Sequence, residues 1–418
     1  MPGAIDTAVV VCPRPELSEA AVLGIPVAGM PLLRRALLTA HQAGIEEFAI
    51  VAADSQQATL RAQLEGESRL RGRVRWCGPT EALSPQSNHT LVLSPSIVVD
   101  AGALRAWLSQ VAEAGGVAAA DGTGVGPLAV PSTLISPCIE AALRGHTGLQ
   151  GFLEQLRRDH QLKRIPWEGK GHQFVRSVGE VPSVERAMLA ALRSPEDGPI
   201  VDRYVNRVLS ARLTRWLIAS RVTPNQLTAL SLVTGLGGAW LLGNEGVLSS
   251  LLGLGLFQFS VILDHVDGEV ARLKFLTSRL GKWLDNISDH TVDLTVIAFL
   301  TRRVAGSSSS AHFFVLGLAA ALGVTLAFWV VFRWSVSGQR LEVRTTTSAR
   351  LWARALALLA NRDGFCLPLW MTVLLGHPMW FLWALALGAN AYWIAWLQIY
   401  GMPPRDRIST APVQGGRS

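Results

Sequence analysis

The chain has 418 residues, room for two or three domains, yet only 17% of them are charged, which is low for a protein in water throughout. The net charge of +7 is carried mainly by arginines in the second half. They lack the basic and aromatic interleaving of a nucleic-acid surface, so the charge reads as a membrane-topology signal and no nucleic-acid partner is expected. Cys12, Cys77, Cys138 and Cys366 are widely spaced with no CxxC pair, which argues against a disulfide framework and a zinc site.

The N-terminus, MPGAIDTAVVVCPRPE, has neither the charged start nor the long apolar run of a signal peptide, so the first domain is expected to be cytoplasmic. Up to about residue 180, short β-branched runs (TAVVV, EEFAIVAA, RVRW, HTLVLS) alternate with helical patterns (PLLRRALLTAHQAG, SQQATLRAQLEG, AGALRAWLSQVAEAG). That order predicts an α/β, Rossmann-like domain with a mostly parallel sheet covered by helices. AGI at 43–45 and AEAGG at 112–116 read as glycine stops. SPEDGPI, at 194–200, is the predicted boundary.

Beyond it, DRYVNRVLSARLTRWLIASR places Val205, Val208, Leu209, Leu213, Trp216 and Leu217 at helical spacing, with Arg203, Arg207 and Arg212 mostly elsewhere on the wheel. This predicts a basic amphipathic helix at a membrane surface. Six apolar spans follow, at approximately 225–243, 247–271, 281–301, 311–332, 364–376 and 379–400, so the second domain is predicted to be all-α and transmembrane. With the amphipathic helix inside, so are Arg272, Lys274, Arg279, Lys282, Arg333, Arg340, Arg344, Arg350, Arg354 and Arg362; only Arg302 and Arg303 fall outside. Both chain ends are therefore expected in the cytoplasm of a multi-pass inner-membrane protein.

Asp264 and Asp267 are three residues apart at the end of the second span, and Asp285 and Asp289 four apart at the start of the third. Each pair shares a helix face, and the short link LKFLTSRLG lets the faces meet. Carboxylates that close repel unless cations lie among them, and their hard oxygens suit two Mg²⁺ or Mn²⁺ ions placed for a phosphoryl displacement. Gly268, Ala271 and Gly281 remove bulk beside them, where a nucleotide could approach the backbone. A salt-bridged hairpin using Arg272, Lys274, Arg279 and Lys282 is the bland alternative. Asp293 continues the row one turn deeper, as an acceptor contact or a structural partner, and His265 reads as a packing or supporting residue.

The pattern D264-x-x-D267-G268-x-x-A271-R272, eight residues, then G281-x-x-x-D285-x-x-x-D289 resembles the complete signature of the CDP-alcohol phosphotransferases. TPNQLT at 223–228 is similar to the motif that opens that family's first span. The resemblance implies transfer of a substituted phosphate from a CDP-alcohol, such as CDP-diacylglycerol, to an acceptor alcohol with release of CMP, in phospholipid biosynthesis. It implies Asp264, Asp267, Asp285 and Asp289 as metal ligands, with Asp289 also the general base. It places Asn225, Thr228, Gly268, Ala271, Arg272 and Gly281 at the CDP, and it implies a homodimer among membrane lipids. Arg333, Arg340, Arg344 and Arg362 are available for an acceptor phosphate, but topology alone explains them.

VAGMPLLRRALLTAHQAGIEEFAIVAAD resembles the early part of sugar-phosphate nucleotidyltransferases. That chemistry needs a glycine-rich phosphate loop after the first strand, where this chain reads VVVCPRPELSEAA, and an aspartate after LVL, where it reads LVLSPSIVVD. Asp54 and Asp100 read as caps or loop residues, and the domain is expected to be degenerate and inactive. The fusion is similar to bifunctional proteins that make CDP-inositol and then di-inositol phosphate phosphate. That layout gives a second function to weigh, and a non-catalytic membrane scaffold gives a third. The expected domains are 1–195, transferase-like; 196–222, linker and interfacial helix; 223–402, six spans; and 403–418, a tail.

Overall fold

The computed structural model describes residues 5–79, 89–111, 117–120, 126–167, 173–192, 201–308, 312–337 and 362–400. The glycine stop at 112–116, the boundary at 194–200, Arg340, Arg344, Arg350, Arg354 and the tail lie outside them. The backbone forms two compact units, 1–193 and 194–418.

In the first unit the four β-branched runs become strands β1 (Thr7–Val11), β2 (Glu47–Val51), β3 (Val74–Cys77) and β4 (His89–Leu93), and three strands not singled out from the sequence join them, β5 (Val117–Ala119), β6 (Leu128–Pro131) and β7 (Leu162–Arg164). They make one sheet in the order β7-β5-β6-β4-β1-β2-β3. β1 runs parallel to β2 and β4, β2 to β3, and β7 to β5, whereas β6 is antiparallel to both its neighbours. Parallel pairing requires crossovers, supplied here by helices α1 (Leu32–Ala43), α2 (Asp54–Leu64) and α3 (Ala101–Val111). Gly44 ends α1 at a φ of 113°, a conformation that favours glycine, and its N–H caps the Ala40 and His41 carbonyls. Helices α4 (Ile135–Leu143) and α5 (Gly145–Arg158) bury Ile135, Ile139, Leu149 and Leu153 against Val9, Val51, Val92 and Val130. Helix α6 (Val181–Ala191) ends the unit.

The second unit begins with one π-helical turn, Asp202–Asn206, leading into α7 (Arg207–Leu217). Then come α8 (Pro224–Leu242), α9 (Val247–Leu273), α10 (Arg279–Ser308), α11 (His312–Ser337), α12 (Arg362–Leu374) and α13 (Pro378–Tyr400). Helices thus stand at all six predicted spans, and three of them, Val247–Leu273, His312–Arg333 and Pro378–Gln398, are long and apolar enough to cross a membrane. Their common core includes Leu242, Phe257, Val261, Val292, Leu300 and Phe381.

TPNQLT starts α8 with a capping box. The Thr223 hydroxyl accepts from the Gln226 N–H while the Gln226 amide oxygen accepts from the Thr223 N–H, and Pro224 occupies the first turn. Helices α8 and α9 touch backbone to backbone. A Cβ on Gly238 would lie 2.8 Å from the Phe257 nitrogen and 2.9 Å from the Gly253 oxygen. Small residues permit such approaches in lipid, where packing replaces the hydrophobic drive. Gly238→Ala is therefore expected to destabilise the bundle by about 1–3 kcal/mol, measured as thermal unfolding in detergent.

The two arginines on the wrong side of the charge count have a local use. Arg302 donates to the Gly243 carbonyl at 3.3 Å and Arg303 to that of Leu242 at 3.1 Å, both at the C-terminus of α8. Cations are favourable at that negative helix end.

The amphipathic helix departs from its predicted seam. Val205, Val208, Leu209 and Trp216 are exposed, while Leu213 and Leu217 pack against Leu227, Leu263, Val266 and Val270. The stripe that is fully buried is polar: Asp202, Asn206, Ser210 and Thr214, one every four residues. It is turned inward because α9 offers partners of matching chemistry. Ser210 and Thr214 donate to the buried Glu269 carboxylate at 2.9 and 2.6 Å.

Candidate active site

A short turn joins α9 to α10, both of which pack on α8, and that turn sets which carboxylates meet. Phe275 takes a φ of 55° in the turn, and the Leu276 N–H closes onto the Ala271 carbonyl at 2.8 Å. Lys274 anchors it by donating to the Ser220 carbonyl at 2.8 Å. The Ser278 hydroxyl accepts from the Gly281 N–H at 2.9 Å and so caps α10.

With the hairpin closed, one carboxylate oxygen each of Asp264, Asp267 and Asp285 lie within 4.8 Å of one another. Asp267 is buried, at 4% exposure, and the Thr228 hydroxyl donates to its Oδ2 at 2.5 Å. Asp264 and Asp285 are half-buried. Three converging carboxylates, one buried and two half-buried, fit a hard divalent cation, whose charge would relieve their mutual repulsion. Asp289 and Asp293 follow at one-turn intervals on α10, both half-buried, and neither belongs to the group of three. Asp289 stands one turn farther along α10 than Asp285.

Two of the small residues have polar side chains beside them. At Gly268 the Arg272 guanidinium folds back over the helix, 3.3 Å from where a Cβ would be. At Gly281 a Cβ would lie 3.7 Å from Asn225 Oδ1, which places the first turns of α8 and α10 side by side. Asn225, Thr228, Gly268, Ala271, Arg272 and Gly281 thus come from three helix ends around one hairpin. The side chain of Arg362 lies outside the described residues, as do Arg340 and Arg344 entirely; Arg333 lies near the end of α11.

Sequence reasoning missed Asp202, Glu269 and the partner of His265. Asp202 Oδ1 lies 2.6 Å from His265 Nε2, and its Oδ2 accepts from Arg207 Nε at 2.6 Å. Burial pushes the Asp202 carboxyl up, but His265 and Arg207 outweigh it and hold the group below its ordinary range. The spacing of 202, 206, 210 and 214 was a usable signal, since polar residues four apart share a helix face as surely as apolar ones do.

The first unit carries a second cleft, at the end of β1 and β4. Several N–H groups at the start of its loop are absent or already used. The Cys12 N–H donates to the Val51 carbonyl and that of Arg14 to the Leu143 carbonyl, while Pro13 and Pro15 have none. The N-terminus of α5 is taken by the chain's own Glu19, whose two oxygens lie 3.0 and 3.1 Å from the His146 N–H. The cavity, lined by Pro13, Glu19, Ser94, Ser96, His146 and Arg176 among others, holds about 40 Å³. Small-molecule sites run to roughly 300–1,000 Å³. Asp100 caps α3 through the Ala103 N–H at 2.8 Å, as expected, and Asp54 opens α2.

Residues 221–397, which hold the whole constellation, match the family model for CDP-alcohol phosphatidyltransferase. The C-terminal half carries a CDP-alcohol phosphatidyltransferase domain. This domain and its apolar helices make the chain a membrane protein.

Among curated relatives, a bifunctional IPC transferase and DIPP synthase of Thermococcus kodakarensis is 36% identical over 138 residues, 32% of this chain and 30% of that protein. The like-named protein of Rubrobacter xylanophilus is 30% identical over 239 residues, 51% of this chain and 53% of the other. The chain thus spans from about a third to about half the length of the curated relatives it matches. Similar solved structures include Mycobacterium tuberculosis phosphatidylinositol phosphate synthase with CDP-DAG bound, 18% identical, covering 48% of this chain and 99% of that one with a TM-score of 0.32. Another is 4-diphosphocytidyl-2C-methyl-D-erythritol synthase of Anaerococcus prevotii, 15% identical over 44% of this chain and 96% of that one, TM-score 0.34.

Proposed function

We propose that the chain is a membrane CDP-alcohol phosphotransferase, moving a substituted phosphate from a CDP-alcohol to an acceptor hydroxyl and releasing CMP, in phospholipid biosynthesis. The observation that carries this is the convergence of Asp264, Asp267 and Asp285 beside the α8 end that presents Thr228 and Asn225. Asp264, Asp267 and Asp285 would hold one Mg²⁺ or Mn²⁺, and Asp289 would reach a second. Bound there, the cations supply charge neutralisation for the diphosphate and the departing CMP oxygen.

The remaining work falls to side chains. Asp289 accepts the proton of the acceptor hydroxyl as its oxygen bonds to the β-phosphorus, and the phosphoanhydride bond breaks with its electron pair leaving on CMP. Asn225, Gly268, Ala271, Arg272 and Gly281 line the cytidine diphosphate, with Arg272 offering the cation nearest its phosphates. Thr228 holds Asp267 in one orientation. Thr228→Val is expected to raise the Mn²⁺ concentration needed for half-maximal activity by roughly 10–100-fold, as loss of a ligand's supporting hydrogen bond does elsewhere; a metal titration of the rate measures it.

We further propose six membrane spans with both chain ends in the cytoplasm, the exposed Val205, Val208, Leu209 and Trp216 seated in the interface, and a homodimer. The use of Arg302 and Arg303 as helix caps supports leaving them out of the topology count. The first unit is proposed to be a degenerate nucleotidyltransferase-like domain, supported by the consumed N–H donors and the Glu19 carboxylate at its phosphate end. A second activity, joining CDP-inositol to inositol phosphate, is favoured by the names of the curated relatives. Mass spectrometry of products after incubation with CDP-diacylglycerol or CDP-inositol and candidate acceptors tests the choice. A phospholipid product supports the leading proposal, a di-inositol product the second, and no product from either donor contradicts both.

A further inference from the structure

We infer that Asp202 and His265 are positioning residues that hold the Asp264 end of α9 for metal binding, and so tie the amphipathic surface segment to the candidate site. This rests on the proposed role of Asp264 as a metal ligand. Asp202 is fully buried in the π-helical turn, and π turns recur at functional sites. Its two oxygens are both engaged, one by His265 Nε2 and one by Arg207 Nε, each at 2.6 Å. The other ring nitrogen, Nδ1, lies 3.0 Å from the Val261 carbonyl. Both nitrogens of His265 therefore face oxygen atoms, which fix the ring at both ends. That ring places Nδ1 3.7 Å from Asp264 Oδ2.

A ring fixed this close to Asp264 restricts where that carboxylate can sit, as the Thr228 hydroxyl restricts Asp267. The attachment is broad. Gln258, two turns before His265, donates to Asn206 and accepts from the Trp370 indole N–H at 3.1 Å, while Ser210 and Thr214 hold Glu269. For stability alone, a buried Asp–His–Arg group is a costly choice, since apolar residues of similar volume often serve as well or better. Its placement next to the first carboxylate of the site gives it a use that packing does not.

The test measures Mn²⁺ binding to the full-length protein in detergent by electron paramagnetic resonance, alongside the metal dependence of CMP release. Asp202→Ala and His265→Gln are expected to weaken Mn²⁺ binding and raise the KM for Mn²⁺ by roughly 10–100-fold, with little change in kcat at saturating metal. Asp202→Asn keeps an oxygen acceptor for Nε2 and is expected to fall between them and the parent. Ser210→Ala loosens the same helix away from Asp202 and is expected to leave Mn²⁺ affinity unchanged. Parent-like Mn²⁺ affinity in both Asp202 variants and His265→Gln, when Asp264→Asn loses it, would overturn the positioning role alone. An equal loss in Ser210→Ala would overturn it too, by making the effect one of general loosening. If the parent and Asp264→Asn bind Mn²⁺ alike, the metal role of Asp264 fails and the positioning role with it.

Discussion

Asp267→Asn is expected to cut CMP release by at least roughly 10²–10³-fold, the range seen when one preorganised electrostatic contact to a transition state is lost. Asp267 is the most buried of the three converging carboxylates and is oriented by Thr228. Replacing one of its oxygens by an amide removes a charge that the cation requires and turns a donor group toward it. The fold should tolerate the change, because asparagine has the same shape and can still accept from Thr228. The measurement is kcat together with Mn²⁺ affinity, and both should fall. A folded variant that keeps parental Mn²⁺ affinity would show that Asp267 is not a ligand.

Asp289→Asn is expected to behave differently. Asp289 stands one helical turn beyond Asp285 and outside the group of three. Removing a general base typically costs 10²–10⁴-fold, and that loss should appear in kcat while the tightest Mn²⁺ site keeps its affinity. Parallel loss of Mn²⁺ binding would make Asp289 primarily a ligand and leave proton abstraction to another group. The contrast between the two asparagine variants therefore separates ligand from base.

Much of this site was legible because its parts are local. The spacings 264/267 and 285/289 fix shared helix faces, and a five-residue turn between α9 and α10 leaves an antiparallel hairpin little choice of register. TPNQLT was legible in the same way, as a capping box written in consecutive residues. The order of the first unit from β1 to α3 followed from β-branched runs and the glycine stop at Gly44, whereas the strands and helices after α3 were not singled out. What escaped was chemistry between segments far apart in the chain. Asp202 meets His265 across 63 positions, and Glu269 meets Ser210 across 59. No single window contains either pair, and a search for apolar seams passes over a buried stripe made of Asp, Asn, Ser and Thr. Arg302 and Arg303 escaped for the same reason: their partners are carbonyls at the far end of α8, and charge counting assigns them to topology. The division between Asp285 and Asp289 also needed coordinates, since helical spacing puts both on one face without saying which reaches the opposite pair.

CMP release by the purified full-length protein, followed while Mg²⁺ is removed with a chelator and then restored, tests the central claim most directly. Release from a CDP-alcohol that stops on chelation, returns with Mg²⁺ in a saturable way and is lost in Asp267→Asn is the predicted result. Release that continues unchanged without divalent cation, or that is the same in Asp267→Asn as in the parent, would contradict it.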